Sequence, residues 1–144
     1  MNARKVAEAS ADTMWSGDRA SRLLGMEIVQ VGPGEATVSM VVRDDMINGW
    51  DVCHGGFIAS LADSAFALAC NSHGVVTVAS GFEITFLESA RIGDTLVATA
   101  TERSTRGRTG IYDVTVNRVQ GEEHAMIAEF RGRSHSLDRA NPGV

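Results

Sequence analysis

Two hydrophobic periods divide the chain. After His73, apolar and polar residues alternate in runs of about ten, at Val75–Phe86, Thr95–Thr105, Thr109–Val119 and Met126–Ser134. Turn signals separate these runs at Ile92-Gly93-Asp94, Arg106-Gly107-Arg108 and Gln120-Gly121-Glu122. Alternation bounded by glycine-rich punctuation predicts antiparallel strands. Before His73 the pattern is mixed. Met26–Val31 and Ala36–Val42 are β-rich and flank Gly32-Pro33-Gly34, which predicts a hairpin. Upstream, about residues 3–24, Val6, Ala9, Met14 and Leu23/Leu24 recur at loosely helical spacing, predicting one amphipathic helix or two short ones ended by Gly25. Gly55–Asn71, GGFIASLADSAFALACN, is too long for a strand and rich in Ala and Leu, so it predicts a helix. It is apolar nearly all round and should be buried. Gly56, Ala59, Ser60, Ala67 and Cys70 form a stripe of small residues along it, with Asp63 in the middle.

A fully apolar helix needs more cover than a flat sheet gives, so the sheet should curl around it. The expected class is α+β, a hotdog-like curved antiparallel sheet wrapped around a long central helix. At 144 residues one domain, 1–144, accommodates all of it. Such a sheet has two edges, and a long regular edge strand invites pairing with a second copy, so a symmetric dimer is expected.

Composition narrows the function without choosing it. An apolar fraction of 44% and a charged fraction of 22% are ordinary for a globular protein. A net charge of −5 argues against a nucleic-acid or anionic-membrane surface. No apolar leader and no run near 18 apolar residues occur, so the expectation is a cytoplasmic protein outside the membrane. Cys53 and Cys70 are then expected to be reduced.

The chemistry centres on two features. A carboxylate in a run as apolar as Ile58–Leu68 is costly to desolvate, which singles out Asp63. Two readings stand side by side: a functional acid, or an Asp at a locally open edge held by a neighbouring turn. The second feature is Asn48-Gly49-Trp50-Asp51-Val52-Cys53-His54-Gly55-Gly56. It leads into the helix N-terminus, where unpaired amides and the positive dipole end suit a developing oxyanion. Gly55 admits a carbonyl to its amide, while Asn48 and His54 can add donors; a tight turn with a capping His is the plain alternative. Cys53 beside His54 is a poor nucleophile pair, since adjacent side chains rarely aim at one another. No metal-ligand spacing, serine-hydrolase elbow or phosphate loop occurs. Trp15, Trp50, Phe57 and Phe82 could line an aryl pocket or belong to the core.

Asn48, His54-Gly55-Gly56, Leu61-Ala62-Asp63-Ser64-Ala65, Asn71-Ser72, Phe86-Leu87, Gly93-Asp94-Thr95-Leu96, Thr109–Val114 and Phe130–His135 together closely resemble the hotdog-fold acyl-CoA thioesterases of the PaaI type, those of phenylacetic acid degradation. The resemblance covers roughly residues 15–136. It implies an acyl-CoA substrate, phenylacetyl-CoA or hydroxyphenylacetyl-CoA, with no cofactor, since coenzyme A is part of the substrate. It implies a site shared across a dimer, with Gly55, Asn48 and His54 of one subunit facing Asp63 of the other as base or nucleophile. A dimer of dimers, a homotetramer, is expected. By the same analogy pantetheine runs near Gly81 and Phe86, and the nucleotide near Ser104, Thr105 and Arg106. The chain departs from the pattern after Phe86-Leu87, where Glu88-Ser89-Ala90 stands in place of a basic residue and a proline, so Arg91, Arg103, Arg106 and Arg108 become the phosphate candidates. A non-catalytic acyl-CoA-binding module is the alternative, and a hotdog dehydratase would need an acid–base pair that is missing here.

Overall fold

The sheet takes its order from hairpins. In the computed structural model, which describes residues 1–144, six strands form one antiparallel sheet in the order β1-β2-β4-β5-β6-β3. They are β1 Glu27–Gly32, β2 Glu35–Val41, β3 Val75–Phe86, β4 Thr95–Arg106, β5 Thr109–Gln120 and β6 Glu123–Ala140. Pro33-Gly34 turns β1 into β2, with Gly34 at φ 71°, the left-handed conformation a type II turn asks for. The final strand runs to Ala140, well beyond the alternating pattern at Met126–Ser134. Its extension is held by β3, which pairs with it from Phe86↔Ala128 to Val75↔Ala140.

Three helices complete the chain: α1 Ala3–Gly17, α2 Arg19–Leu23 and α3 Gly55–Cys70. The break between α1 and α2 falls at Asp18, whose side chain caps α2 by accepting from Ser21 N–H at 2.9 Å. The N-terminal segment is therefore two helices, and α1 packs along β1 and covers that side of the sheet.

The sheet curls over α3. Leu61, Ala62, Ala65, Phe66 and Ala69 are fully buried against Val38 and Met40 of β2, Leu96 and Ala98 of β4, and Val114 and Val116 of β5. Phe66 is the pivot, with its ring 5.6 Å from Tyr112 and 5.7 Å from Phe130. Asn71 locks the far end of the helix to β3: its amide donates to the carbonyls of Ala67 and Thr77, both at 2.9 Å, and its carbonyl accepts from Thr77 N–H.

The expectation that α3 is buried all round is corrected. Gly56 is exposed and Ser60, Asp63, Ser64 and Ala67 are only partly covered, so one face stays open. Cys70 is not on that open face; it is buried at the helix end. The open face is the one with small side chains, so nothing there reaches out to meet the chain's own sheet. Of the two edges, β3 is bare, with Val75, Val78, Phe82 and Phe86 half exposed along it. No helix is long and apolar enough to cross a membrane.

Candidate active site

The loop before α3 is a small hairpin closed by a bridge between Ile47 and Cys53. Asn48 builds it: its N–H donates to Val52 O at 2.8 Å, and its side-chain oxygen accepts from Trp50 N–H at 2.9 Å and Val52 N–H at 3.3 Å. Asp51 takes the left-handed conformation at φ 64°, which Asp tolerates better than most residues. The base of the hairpin is tied down by Cys53 N–H to Ala90 O and His54 N–H to Met46 O, both 2.7 Å.

This scaffold leaves three donors unspent at the start of α3. Gly55 N–H has no acceptor, as expected of a first helical turn. His54 caps the helix, its Nδ1 accepting from Gly56 N–H at 3.3 Å, so in the neutral ring the proton sits on Nε2, which is free to donate. Asn48 spends its oxygen on the loop and keeps its amide hydrogens. The ring of Phe86, 48% exposed, rests on Gly55: a Cβ there would lie 2.9 Å from Cζ. Glycine is thus required both for access to the amide and for the ring beside it.

Asp63 stands eight residues further along α3, about 12 Å from Gly55 at the helical rise of about 1.5 Å per residue. It lines a cavity of about 230 Å³ between α2 and α3 with Asp18, Ser21, Ser60 and Ser64. Burial, reinforced by the negative charge of Asp18, pushes its carboxyl above the ordinary value. Ser21 joins the two helices: its hydroxyl donates to Asp18 Oδ2 at 2.7 Å and lies 2.8 Å from Ser64 Oγ. Asp18 and Ser21 were invisible as site residues in the sequence, whereas Ser64 stood in the motif around Asp63. The capping spacing from Asp18 to Ser21 was there to read, but no local pattern says that this turn lands beside Asp63.

The other candidates divide. Gly81 sits at a bulge midway along β3, where a Cβ would press on the Arg133 guanidinium at 2.9 Å, and it shares its strand with Phe86. Ser104, Thr105 and Arg106 lie exposed on the β4–β5 hairpin, near the C-terminal end of α3, where Thr105 lines a cavity with Cys70, His73 and Tyr112. That is a full length of the 16-residue α3, about 24 Å, from Gly55. Within one chain these residues do not join the loop. Of the four arginines, Arg103 pairs with Asp113 at 3.4 Å and Arg108 with Asp138, whereas Arg91 and Arg106 have no carboxylate partner. Glu88 is drawn back by Arg118, whose guanidinium lies 3.7 Å from its carboxylate and donates to Ser89 O at 2.9 Å. Arg118 thereby fixes the turn that lacks proline.

Cys53 is 4% exposed and burial pushes its thiol up to about 11, the wrong direction for a nucleophile. Of the aromatic residues, Trp15 and Phe57 pack against the core and Phe82 stacks on Phe130 at 4.7 Å. Trp50 lines no cavity.

An antiparallel sheet curled around one long helix, with a capped glycine turn at the helix start and a carboxylate midway along it, defines a hotdog-fold thioesterase. The family model described as "Thioesterase superfamily" matches residues 51–125. The chain is 42% identical to the acyl-coenzyme A thioesterase PaaI of Escherichia coli K12 over 89% of each sequence, and 36% identical to a putative esterase of Archaeoglobus fulgidus over 96% of this chain and 88% of that one. Among solved structures, the E. coli PaaI protein from the phenylacetic acid degradation operon superposes with a TM-score of 0.92 at 40% identity, covering 96% of this chain and 99% of that one. A mutant form of the Thermus thermophilus phenylacetic acid degradation protein PaaI gives 0.78 at 35% identity over 83% of this chain and 100% of that one. The chain belongs to the thioesterase superfamily.

Proposed function

We propose that the protein hydrolyses acyl-CoA thioesters, phenylacetyl-CoA or a ring-hydroxylated relative foremost, at a site made of two protomers. The observation that carries this reading is the distance along α3. A thioester carbon must meet the carboxylate, directly or through one water, while its oxygen meets the Gly55 amide, and about 12 Å on one rigid helix is too far for both. A second copy solves the problem. Antiparallel pairing of two β3 edges about a twofold axis would set the start of one α3 beside the middle of its partner, across the small-residue face. It would also bring the partner's hairpin at Ser104, Thr105 and Arg106 toward the Gly55 end, and it would cover Val78, Phe82 and Phe86.

In this arrangement the thioester carbonyl accepts from Gly55 N–H, with Asn48 and His54 as further donors, and the oxyanion is stabilised as it forms. Asp63 of the partner subunit acts in its ionised form. As a base it takes a proton from water, whose oxygen adds to the carbonyl carbon; the C–S bond then breaks and coenzyme A leaves as a thiol. As a nucleophile it forms a mixed anhydride and releases the thiolate, and water then cleaves the anhydride. Single turnover in ¹⁸O water that places label in the Asp63 carboxylate identifies the anhydride route, with water attacking the Asp63 carboxyl carbon, because a general base keeps its own oxygens. The PaaI likeness supports the aryl substrate. Thiol release measured with phenylacetyl-, 4-hydroxyphenylacetyl-, octanoyl- and acetyl-CoA should show turnover highest on the aryl esters. Absence of turnover on all four sinks the reading.

A further inference from the structure

Trp50 is the most exposed large apolar side chain in the protein, at 88%. It is not displayed by a loose loop. Its N–H is held by Asn48 Oδ1, the next N–H donates to Asn48 O at 3.1 Å, and Arg91 Nη1 reaches Asp51 O at 3.5 Å from the neighbouring turn. A fixed backbone thus presents an indole at the tip of the same hairpin whose base sets Gly55. A lone exposed aromatic is common enough; one held by a loop whose side-chain amide is itself a site candidate calls for a ligand.

We propose that Trp50 is a stacking platform for the adenine ring of the coenzyme A moiety, with Arg91 as the adjoining phosphate contact. The inference rests on the acyl-CoA reading above and adds a recognition residue to it. Reach permits it: five residues separate Trp50 from Gly55, no more than about 18 Å of extended chain, and the pantetheine arm leads from thioester to nucleotide over a comparable span. Surroundings favour a nucleotide over a second copy of the chain. A tryptophan anchoring a dry protein interface is ringed by apolar groups with charges depleted, whereas Trp50 stands between Gly49 and the exposed Asp51, next to a guanidinium with no carboxylate partner. A flat purine with phosphates attached matches an indole beside an arginine. Of the carboxylates nearby that would oppose phosphate, Glu88 is held by Arg118 and Asp94 accepts from the Arg91 N–H at 2.8 Å, which leaves Asp51 exposed on the hairpin itself.

Truncating the substrate tests this. Trp50→Ala should raise KM for phenylacetyl-CoA about tenfold, the order of loss for an unstacked base, while KM for S-phenylacetylpantetheine, which lacks the nucleotide, moves far less. Trp50→Phe should recover most of the loss. In a Trp15→Phe background, adenosine 3′,5′-bisphosphate should quench the remaining tryptophan emission saturably. Equal KM changes on both substrates, no change on either, or a shift in particle mass by light scattering on Trp50→Ala overturns the proposal. A wild-type protein that hydrolyses neither thioester refutes the acyl-CoA reading instead, and the bisphosphate titration then decides the stacking claim by itself.

Discussion

Asp63 is a residue in tension. Burial and the Asp18 charge both favour its neutral form, and the hydrolysis proposed above needs it ionised. A carboxyl whose folded pKa is raised binds its proton more tightly in the folded state, so it costs stability above that pKa and the cost fades as pH falls through it. Asp63→Asn should therefore raise the melting temperature at pH 7 while turnover falls on the order of a hundredfold or more, as read by calorimetry and thiol release on one preparation. The acid limb of kcat/KM should lie above the ordinary carboxylate value, with activity lost as pH drops through it. Asp18→Asn keeps the cap on α2, since Asn caps as well as Asp, but removes the neighbouring charge. The limb should then move to lower pH, and a limb that does not move denies Asp18 any electrostatic hold on Asp63. In the sequence Asp63 stood out through its apolar setting and took its expected role from the family resemblance; Asp18 could not stand out, because the contact spans two helices far apart in the chain.

At the scale of elements, glycine and other small residues decide what can approach what. β6 crosses the α3 core at Gly132, where a Cβ would stand 2.7–2.8 Å from three atoms of the Phe66 ring. Gly132→Ala should cost about 1–3 kcal/mol through overpacking, seen as a lower urea midpoint with an unchanged slope. A Phe66→Leu partner substitution should recover part of it, and additive losses would contradict the contact. The same logic explains what the patterning captured and what it missed. Strand alternation and turn glycines marked β3, β4 and β5 well, because each side chain's face is set by its own neighbours. The end of β6 was missed because pairing with β3, a long-range event, holds Glu123–Ala140 in line. The open face of α3 was missed for a related reason: small apolar residues look buried in sequence whether the cover is the chain's own sheet or another molecule.

The whole molecule, by this reasoning, is one half of its site, and that has a consequence no single-chain variant can reproduce. Take two inactive proteins, Asp63→Asn and Asn48→Ala. If each site joins the Gly55 loop of one protomer to Asp63 of the other, a mixed dimer contains one site with both defects and one with neither. Random reassortment of equal amounts makes about half the dimers mixed, so about a quarter of wild-type site activity should return. Were both functions supplied by one chain, mixing would restore nothing above the sum of the two variants. Subunit exchange must be shown separately, by mass shift of a tagged partner, so that silence in the assay is not mistaken for a failure to exchange. Edge pairing can be examined in the same mixture. Val78→Lys places a charge on the bare rim of β3, within the seam that two copies would share. It should lower particle mass and abolish the recovered activity together, because in this architecture assembling the dimer and assembling the site are one event.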